Sequence, residues 1–481
     1  MNVTTAALPL FYRLREDVEM QERQDGIIVV SPSCQVTISR LHPHLRHALL
    51  RLAKTPCSMQ WINRALSEAH EEGMLTTFYK YLSSLLRHQM ACICAGDSEQ
   101  ALPAATLLPI SQRFHHRLVS IQASQPYRMS RFAYMRRDED GSTYLESPLA
   151  FARLRLERGV AASVVYQLGA AVSLSKLASA LPEGDEETIT GLLALLVMGN
   201  FASPVTSEGL LREDEDETLR QWEFHDLLFH SRCREGRHDI PLGGTYRFLE
   251  QLPPQPAIKQ APWPATIFLP RPDFEQVRQQ EPGLAAVMET RTSIREYGSR
   301  PITLEQLGEF LYRVARVKEI YSDGESGDFT RRPYPGAGAS YELEFYLTVD
   351  QCEGLAPGFY WYHPLEHALA FIHEPDRDTE RLVFDAYQSM GELERPQILV
   401  TLAARFQRVA WKYQGIAYSL ILKDVGVVYA TMYLVASAMG LAGCALGTGD
   451  SDQFVKVSGT EYLKETSVGE FALGSRPTKK P

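Results

Sequence analysis

The chain lacks the cysteine pattern of a disulfide-stapled or zinc-bound protein. Its seven cysteines (Cys34, Cys57, Cys92, Cys94, Cys233, Cys352 and Cys444) are odd in number and scattered, and only Cys92 and Cys94 are close in sequence. No C-x2-C spacing occurs, so no metal site is expected and a reducing cytoplasm is the default compartment. An excess of positive charge is also missing. With 49 Lys and Arg against 59 Asp and Glu, the formal charge is −10, which argues against broad binding to nucleic acid or anionic lipid. The N-terminus, MNVTTAALPLFYRLRED, has no basic stretch leading into an apolar one, which argues against secretion. Only one long uncharged run exists, residues 425–449, and its Thr, Ser and Gly content fits a helix buried in protein better than a membrane span. What remains is 481 residues of ordinary composition, 44% hydrophobic and 22% charged, enough for two or three domains with real cores.

The first half reads as a duplication. Tyr12, Leu14, Val18 and Met20 alternate with Arg13, Arg15, Asp17 and Glu19, a half-buried strand pattern, and Asp25-Gly26 turns into Ile27–Val30. Further on, Phe132 and Tyr134 alternate, then Asp140-Gly141 turns into residues 142–145. The two turns lie 115 residues apart (25 to 140), and the Ser-Pro pairs that follow lie 116 apart (31 to 147). Each hairpin precedes three helical stretches, at 43–54, 60–70 and 75–90 and then at 161–171, 174–180 and 186–198. A hairpin with three short helices is the outline of a winged-helix unit, so two are expected in tandem, at 1–100 and 101–220. DNA binding is disfavoured, because the third helix of the second copy opens on Glu183-Gly184-Asp185-Glu186-Glu187. Peptide capture at an exposed sheet edge fits the charge better.

Residues 221–272 read as a helical and Pro-rich linker. Residues 213–217 (EDEDE) just before it suit a solvated loop or a helix start. His225, His230, Cys233 and His238 invite a metal reading, but their spacing fits no common zinc pattern, and Phe224, Leu227, Leu228 and Phe229 suggest a packed amphipathic helix. Residues 252–272 hold seven prolines and are expected as a linker or extended arm. From 273 to 481 the pattern is mixed. Helices are expected at 284–289, 303–316, 376–388 and 414–441, and strands at 343–350, 358–363, 369–372, 398–404 and 470–473. Thr303 and Gln306 make a capping box.

Three separated elements carry chemistry. Arg291-Thr292-Ser293-Ile294-Arg295 offers two guanidiniums and two hydroxyls, a phosphate grip to which Arg476 adds a third cation. The run Tyr334-Pro335-Gly336-Ala337-Gly338-Ala339-Ser340-Tyr341 lets bare backbone approach a flat ring system. Lys412-Tyr413 precedes the long apolar helix, whose flank is expected to desolvate the lysine and make a neutral amine accessible as a base.

In this order the elements resemble the FMN-dependent nitroreductase superfamily, specifically its SagB/McbC-type branch of azoline dehydrogenases. The opening R-x-S-x-R-x-[FY] of that family matches Arg291 to Tyr297. Its P-S-A-G-A-x-Y-P-L-E-x-Y loop matches Pro335 to Tyr346, with Gly336 in place of Ser and Glu342 in place of Pro. Its G-L-x-x-C-x-x-G turn after a long helix matches Gly440 to Gly447.

The resemblance implies an α+β C-terminal domain, a central antiparallel-rich sheet flanked by helices, which forms an entwined homodimer with FMN at the interface. It implies that Arg291, Thr292, Ser293, Arg295 and Arg476 hold the FMN phosphate and ribityl chain. Pro335, Gly336, Ala337, Gly338 and Ser340 would touch the flavin from the partner subunit, and Gly443, Cys444 and Ala445 would line its ring, Cys444 as a packing residue. Lys412 and Tyr413 align with the catalytic Lys-Tyr pair. The N-terminal units resemble the peptide-clamp domains of ribosomal-peptide modifying enzymes, and a free-standing oxidase carrying two of them is most similar to the cyanobactin oxidases of the ThcOx type. The function implied is cytoplasmic oxidation of azolines to azoles in a precursor peptide, after a cyclodehydratase has made the rings, with oxygen reoxidising the flavin. The rivals are an NAD(P)H-dependent nitro- or quinone reductase, a non-catalytic precursor-binding scaffold and a winged-helix regulator.

Overall fold

Alternation and helix caps build most of the first half. The structure, a computed structural model, describes residues 8–68, 73–96, 102–182, 184–324 and 327–478 and divides into two units, Met1–Ile240 and Pro241–Pro481. In the first unit, β1 (Leu10–Leu14) buries Leu10, Tyr12 and Leu14. Glu16 and Asp17 then turn the chain, with Asp17 bound by the Arg15 guanidinium at 3.1 Å. The run 12–20, read as one strand, is therefore two. β2 (Glu19–Arg23), β3 (Gly26–Val30) and β4 (Gln35–Ser39) form their own antiparallel sheet. Next come α1 (Pro43–Lys54), β5 (Cys57–Ser58), α2 (Met59–Ser67), α3 (Met74–Arg87) and β6 (Ala91–Ala95). The helix expected at 60–70 extends past the described residues at its end, and Glu183 also lies outside them.

The second copy follows as β7 (Ala105–Pro109), β8 (Pro126–Met129), β9 (Tyr134–Arg137), β10 (Thr143–Glu146), β11 (Ala152–Leu156), α4 (Gly159–Gln167), β12 (Val172–Ser173), α5 (Leu174–Ala180), α6 (Glu186–Met198) and β13 (Ala202–Pro204). The repeat holds in strand order and in part of its register. Strands run β5-β1-β6 in one copy and β12-β8-β13 in the other. Tyr12 pairs with Cys57, and 115 residues on Tyr127 pairs with Val172. Ser58 and Ser173, again 115 apart, are the N-caps of α2 and α5. The boundary expected at residue 100 falls between β6 and β7, which pair with each other, and β7 pairs in turn with β11. Both copies thus share one seven-stranded sheet, β5-β1-β6-β7-β11-β10-β9. The unit closes with α7 (Arg212–Glu215) and α8 (Phe224–Arg232), so the segment 221–272 is split rather than a free linker.

The second unit holds β14 (Ala265–Phe268), α9 (Phe274–Gln280), α10 (Leu284–Thr290), α11 (Leu304–Ala315), β15 (Glu319–Ser322), β16 (Asp328–Arg331), β17 (Leu343–Val349), β18 (Gly358–His363), β19 (Ala368–His373), α12 (Arg377–Ser389), β20 (Ile398–Arg405), α13 (Phe406–Ala410), α14 (Ala417–Ala438), β21 (Leu441–Leu446), α15 (Ser451–Ser458) and β22 (Glu465–Ser475). Seven strands form one sheet in the order β14-β19-β18-β17-β20-β22-β21, every neighbouring pair antiparallel. β17 is buried along its whole length because both faces are covered. Leu343, Phe345 and Leu347 share a core with Leu307 and Phe310 of α11 and Val428 and Met432 of α14. Tyr346 joins Leu382 of α12 and Phe454 of α15 in another. The Thr303–Gln306 capping box forms as expected, with reciprocal bonds of 3.1 and 3.2 Å.

Two expectations change here. The helix expected to reach 441 stops at Ala438, Gly440 takes φ +67°, and the Gly-rich exit is an edge strand, β21, rather than a turn. Among the described residues α14 is the one helix long and apolar enough to cross a membrane, and Ile421, Val425, Val428 and Met432 put its inner face in the core. The Pro-rich run is an arm of this unit. Its Lys259 donates to Tyr346 Oη at 2.5 Å and to Glu465 at 2.6 Å.

Candidate functional site

Two clusters of expected site residues form at different stretches of α14. The first gathers on the Gly-rich loop. Lys412 and Tyr413 follow α13, their N–H groups both bonded to Val409 O, which leaves the two side chains free of a shared helix face. Lys412 Nζ donates to Gly338 O at 2.9 Å. It also lies 5.2 Å from the ring centre of Phe329, 5.5 Å from Tyr413 and 5.7 Å from Tyr246. The amine therefore meets aromatic faces and a carbonyl, where the sequence pointed to a flanking apolar helix. Gly338 must be glycine. Its φ is +53°, and a Cβ there would collide with Tyr413 Oη and lie 2.8 Å from Lys412 Nζ.

Charged side chains clamp this loop. Ala337 N–H donates to Asp424 Oδ2 at 2.8 Å. Arg408, nine-tenths buried, donates to Ser340 O (2.9 Å), Gln255 O (2.6 Å) and Asp328 O (2.6 Å). Burial, with Arg405 and Arg332 nearby, pushes the Arg408 guanidinium down to about 10. Trp411 Nε1 donates to Leu252 O at 2.7 Å, so the Pro-rich arm grips the same platform. Ala339 and Tyr341 also hold positive φ, 58° and 46°, strain that this clamping sustains. Pro335 and Gly338 are exposed, whereas Ser340 is buried.

The second cluster forms where the segment after α10 meets β21 and the end of β22. Ile294 N–H donates to Gly443 O at 3.1 Å and Gly298 N–H to Ser475 O at 3.1 Å. Tyr433 of α14 ties the parts together. Its hydroxyl lies 2.8 Å from Ser293 Oγ and accepts Ala445 N–H at 2.8 Å, while Arg291 sits 5.2 Å over its ring. Arg291, Thr292, Arg295 and Arg476 are exposed, and among the described residues no carboxylate pairs with the three arginines. Cys444 is buried in the core on the other face of the sheet, with Tyr346 and Phe454. Gly443 is demanded by packing as well, since a Cβ there would lie 2.7 Å from the Phe471 ring. Beside this cluster Glu470, opposite Leu446 in register, is pushed up to about 7 by burial.

Three unpaired guanidiniums with a hydroxyl fit a phosphate-bearing cofactor, and FMN has the charge they would hold. The clusters meet different residues of α14, Asp424 and Tyr433. Nine residues of helix separate these by about 14 Å.

The sequence missed Tyr433, Asp424, Arg408, Phe329 and Tyr246. Tyr429 and Tyr433, one turn apart in an otherwise apolar helix, were the available signal for Tyr433. Arg408 stands four residues before Lys412. Phe329 and Tyr246 carry no local sign, because long-range folding brings them in.

Comparison with known proteins agrees with this division. The family described as cyanobactin oxidase ThcOx matches residues 127–239, and the nitroreductase family matches residues 288–475. A nitroreductase-like protein of Methanocaldococcus jannaschii is 30% identical over 182 residues, 38% of this chain and 84% of that protein. The microcin B17-processing protein McbC of Escherichia coli is 30% identical over 132 residues, 26% of this chain and about half (47%) of McbC. Among solved structures, the Escherichia coli microcin synthetase McbBCD complex with truncated pro-MccB17 matches with a TM-score of 0.32 and 18% identity, covering 56% of this chain and 99% of that one. A nitroreductase-like protein from Ralstonia eutropha matches with a TM-score of 0.34 and 20% identity, over 48% of this chain and 100% of that one.

Proposed function

Because the chain belongs to the nitroreductase family, in its ThcOx- and McbC-like branch of oxidases, we propose that it dehydrogenates azoline rings in a ribosomally made precursor peptide. The substrate is a thiazoline or oxazoline and the product the aromatic azole. The observation that carries this reading is the convergence of Lys412 and Tyr413 on Gly338.

Aromatising an azoline removes a proton and a hydride from neighbouring ring carbons. The C–H beside the carbonyl is only weakly acidic, so a positioned base has work to do. The Lys412–Tyr413 pair takes that proton and orients the ring. Arg408 and Asp424 hold the loop so that both side chains keep their geometry without help from substrate. Arg291, Ser293, Arg295 and Arg476 would hold the phosphate and ribityl chain of FMN, with Tyr433 fixing Ser293 and the β21 edge. When bound, FMN supplies the two-electron acceptor for the hydride, with dioxygen as final oxidant.

The protein works as a cytoplasmic homodimer, in which the Gly-rich loop of one subunit serves the flavin of the other. The first unit, with its paired repeat, binds the precursor peptide by strand addition, and a cyclodehydratase supplies the rings. The test is incubation of the FMN-loaded protein with a thiazoline peptide in air, read by mass as loss of two hydrogens per ring. Bleaching of bound flavin by NADPH but not by the azoline peptide would overturn the reading.

A further inference from the structure

Glu342 stands where the resembled family has proline, and nothing in the proposed reaction uses it. It is fully buried at the start of β17, and neither carboxyl oxygen has a hydrogen-bond donor. The Asp424 carboxyl group, 7% exposed, meets it from α14 while accepting Ala337 N–H. The charged and titratable groups around the pair do not satisfy Glu342. Arg332 is buried, and none of its guanidinium nitrogens makes a hydrogen bond. Arg408 is spent on three carbonyls. Arg405 pairs with Glu344 at 2.9 Å. Lys423, beside Asp424 on the helix, is exposed, and the Tyr334 hydroxyl is buried without a partner. Tyr341 packs edge-on against the Tyr334 ring.

Two neighbouring buried carboxyl groups, with Ala337 N–H given to Asp424 and no donor given to Glu342, cannot both ionise cheaply, and one shared proton removes the repulsion and provides the missing donor. We propose that the Glu342–Asp424 pair holds a single proton and thereby positions the Gly-rich loop beneath Lys412 and Tyr413. The Glu342 carboxyl donates to Asp424, which stays ionised and grips Ala337 N–H. Ala337 precedes Gly338, whose carbonyl takes Lys412 Nζ. Loss of the proton sets like charges against each other and frees a loop that carries positive φ at Gly338, Ala339 and Tyr341. Burial first, and Asp424 second, push Glu342 up to about 8, and burial raises Asp424 too, in keeping with a proton held near neutrality. Glu342 is thus a positioning residue, and only the activity arm of its test rests on the reading of Lys412 and Tyr413 as the reacting pair.

The experiment compares the full-length protein with Glu342→Gln, which keeps a donor and cannot ionise, and with Glu342→Ala. Above the ordinary glutamate range the unfolded chain has lost this proton and the folded chain keeps it. Rising pH therefore favours unfolding until Glu342 itself ionises. The unfolding midpoint of the wild type should fall relative to Glu342→Gln as pH rises toward about 8 and then run parallel. Turnover of a thiazoline peptide by the wild type should decline on the alkaline side. Glu342→Gln should lack that decline, and Glu342→Ala should lose about tenfold in kcat at every pH. Parallel midpoints throughout, or an unchanged alkaline decline in Glu342→Gln, would overturn the proposal. Should Glu342→Gln not fold, infrared spectra of Glu470→Gln, which removes the other raised carboxyl, decide, since a protonated-carboxyl band must vanish there as pH rises past about 8. Its absence at neutral pH overturns the pair. Midpoints that behave as expected, without any turnover, would sink the azoline reading and leave the pair standing.

Discussion

The two clusters along α14 are built on opposite plans. At Asp424 the loop is closed upon by its own chain, with Lys412, Arg408 and Asp424 all spent on its backbone. Near Tyr433, three arginines stand exposed and no carboxylate among the described residues takes them. The contrast teaches which part is finished by folding and which is left for a ligand. A saturated, strained loop is prepared geometry, whereas exposed cations beside a sheet edge are binding capacity.

The contrast can be broken most sharply at the proposed reacting pair. Lys412→Ala and Tyr413→Phe should lower azoline turnover by about 10²–10⁴-fold while bound FMN, read by its absorbance, is retained. Full activity of Lys412→Ala would place the prepared geometry elsewhere. Next, Arg408→Ala should cost about 3 kcal/mol of stability in denaturant titration, because three carbonyls lose a charged donor. Arg291→Ala and Arg476→Ala should stay within about 0.5 kcal/mol of wild type yet weaken FMN binding by about tenfold. Equal stability losses at both clusters would erase the distinction.

A smaller effect belongs to Glu470, whose carboxyl is raised to about 7 in the folded state by burial. Both states hold the proton at low pH. Between the ordinary glutamate range and about 7 only the unfolded chain loses it, so folding weakens with rising pH there and levels off above. Glu470→Gln should then be the more stable protein at pH 8, by on the order of 2 kcal/mol in thermal unfolding. Smallest of all, Tyr433→Phe removes one hydroxyl that serves Ser293 and Ala445. FMN binding should weaken about fivefold by fluorescence titration, with turnover at saturating FMN unchanged.

Much of this was legible in local pattern. The capping box at Thr303, the strand at 358–363 and the helices at 43–54, 174–180 and 186–198 sit where periodicity and caps put them. The 115-residue spacing proved to be a true repeat of strand pairing. Errors arose where a local signal was ambiguous. Leu441–Leu446, small and apolar, continues the helical composition of α14, and only pairing with β22 makes it a strand. The sheet shared across residue 100 was not foreseen, because pairing between the copies leaves no mark on composition. At the site, the arginines, Lys412, Tyr413 and the glycines were visible as motif residues. Tyr246 and Phe329, brought to Lys412 by the tertiary fold, were not.

The reach of the Pro-rich arm bears on how much of this chain could travel as a unit. Arg408 and Trp411 bind the carbonyls of Gln255 and Leu252, and Lys412 lies against the Tyr246 ring, all upstream of residue 288, where the nitroreductase family match begins. A fragment cut at 288 would keep every strand from β17 to β22 and still take one of three acceptors from the buried Arg408 guanidinium and leave the Trp411 indole N–H without its acceptor. The smallest portable enzyme therefore begins before Tyr246. Transplanting the second unit onto another domain would have to carry the arm along with the sheet.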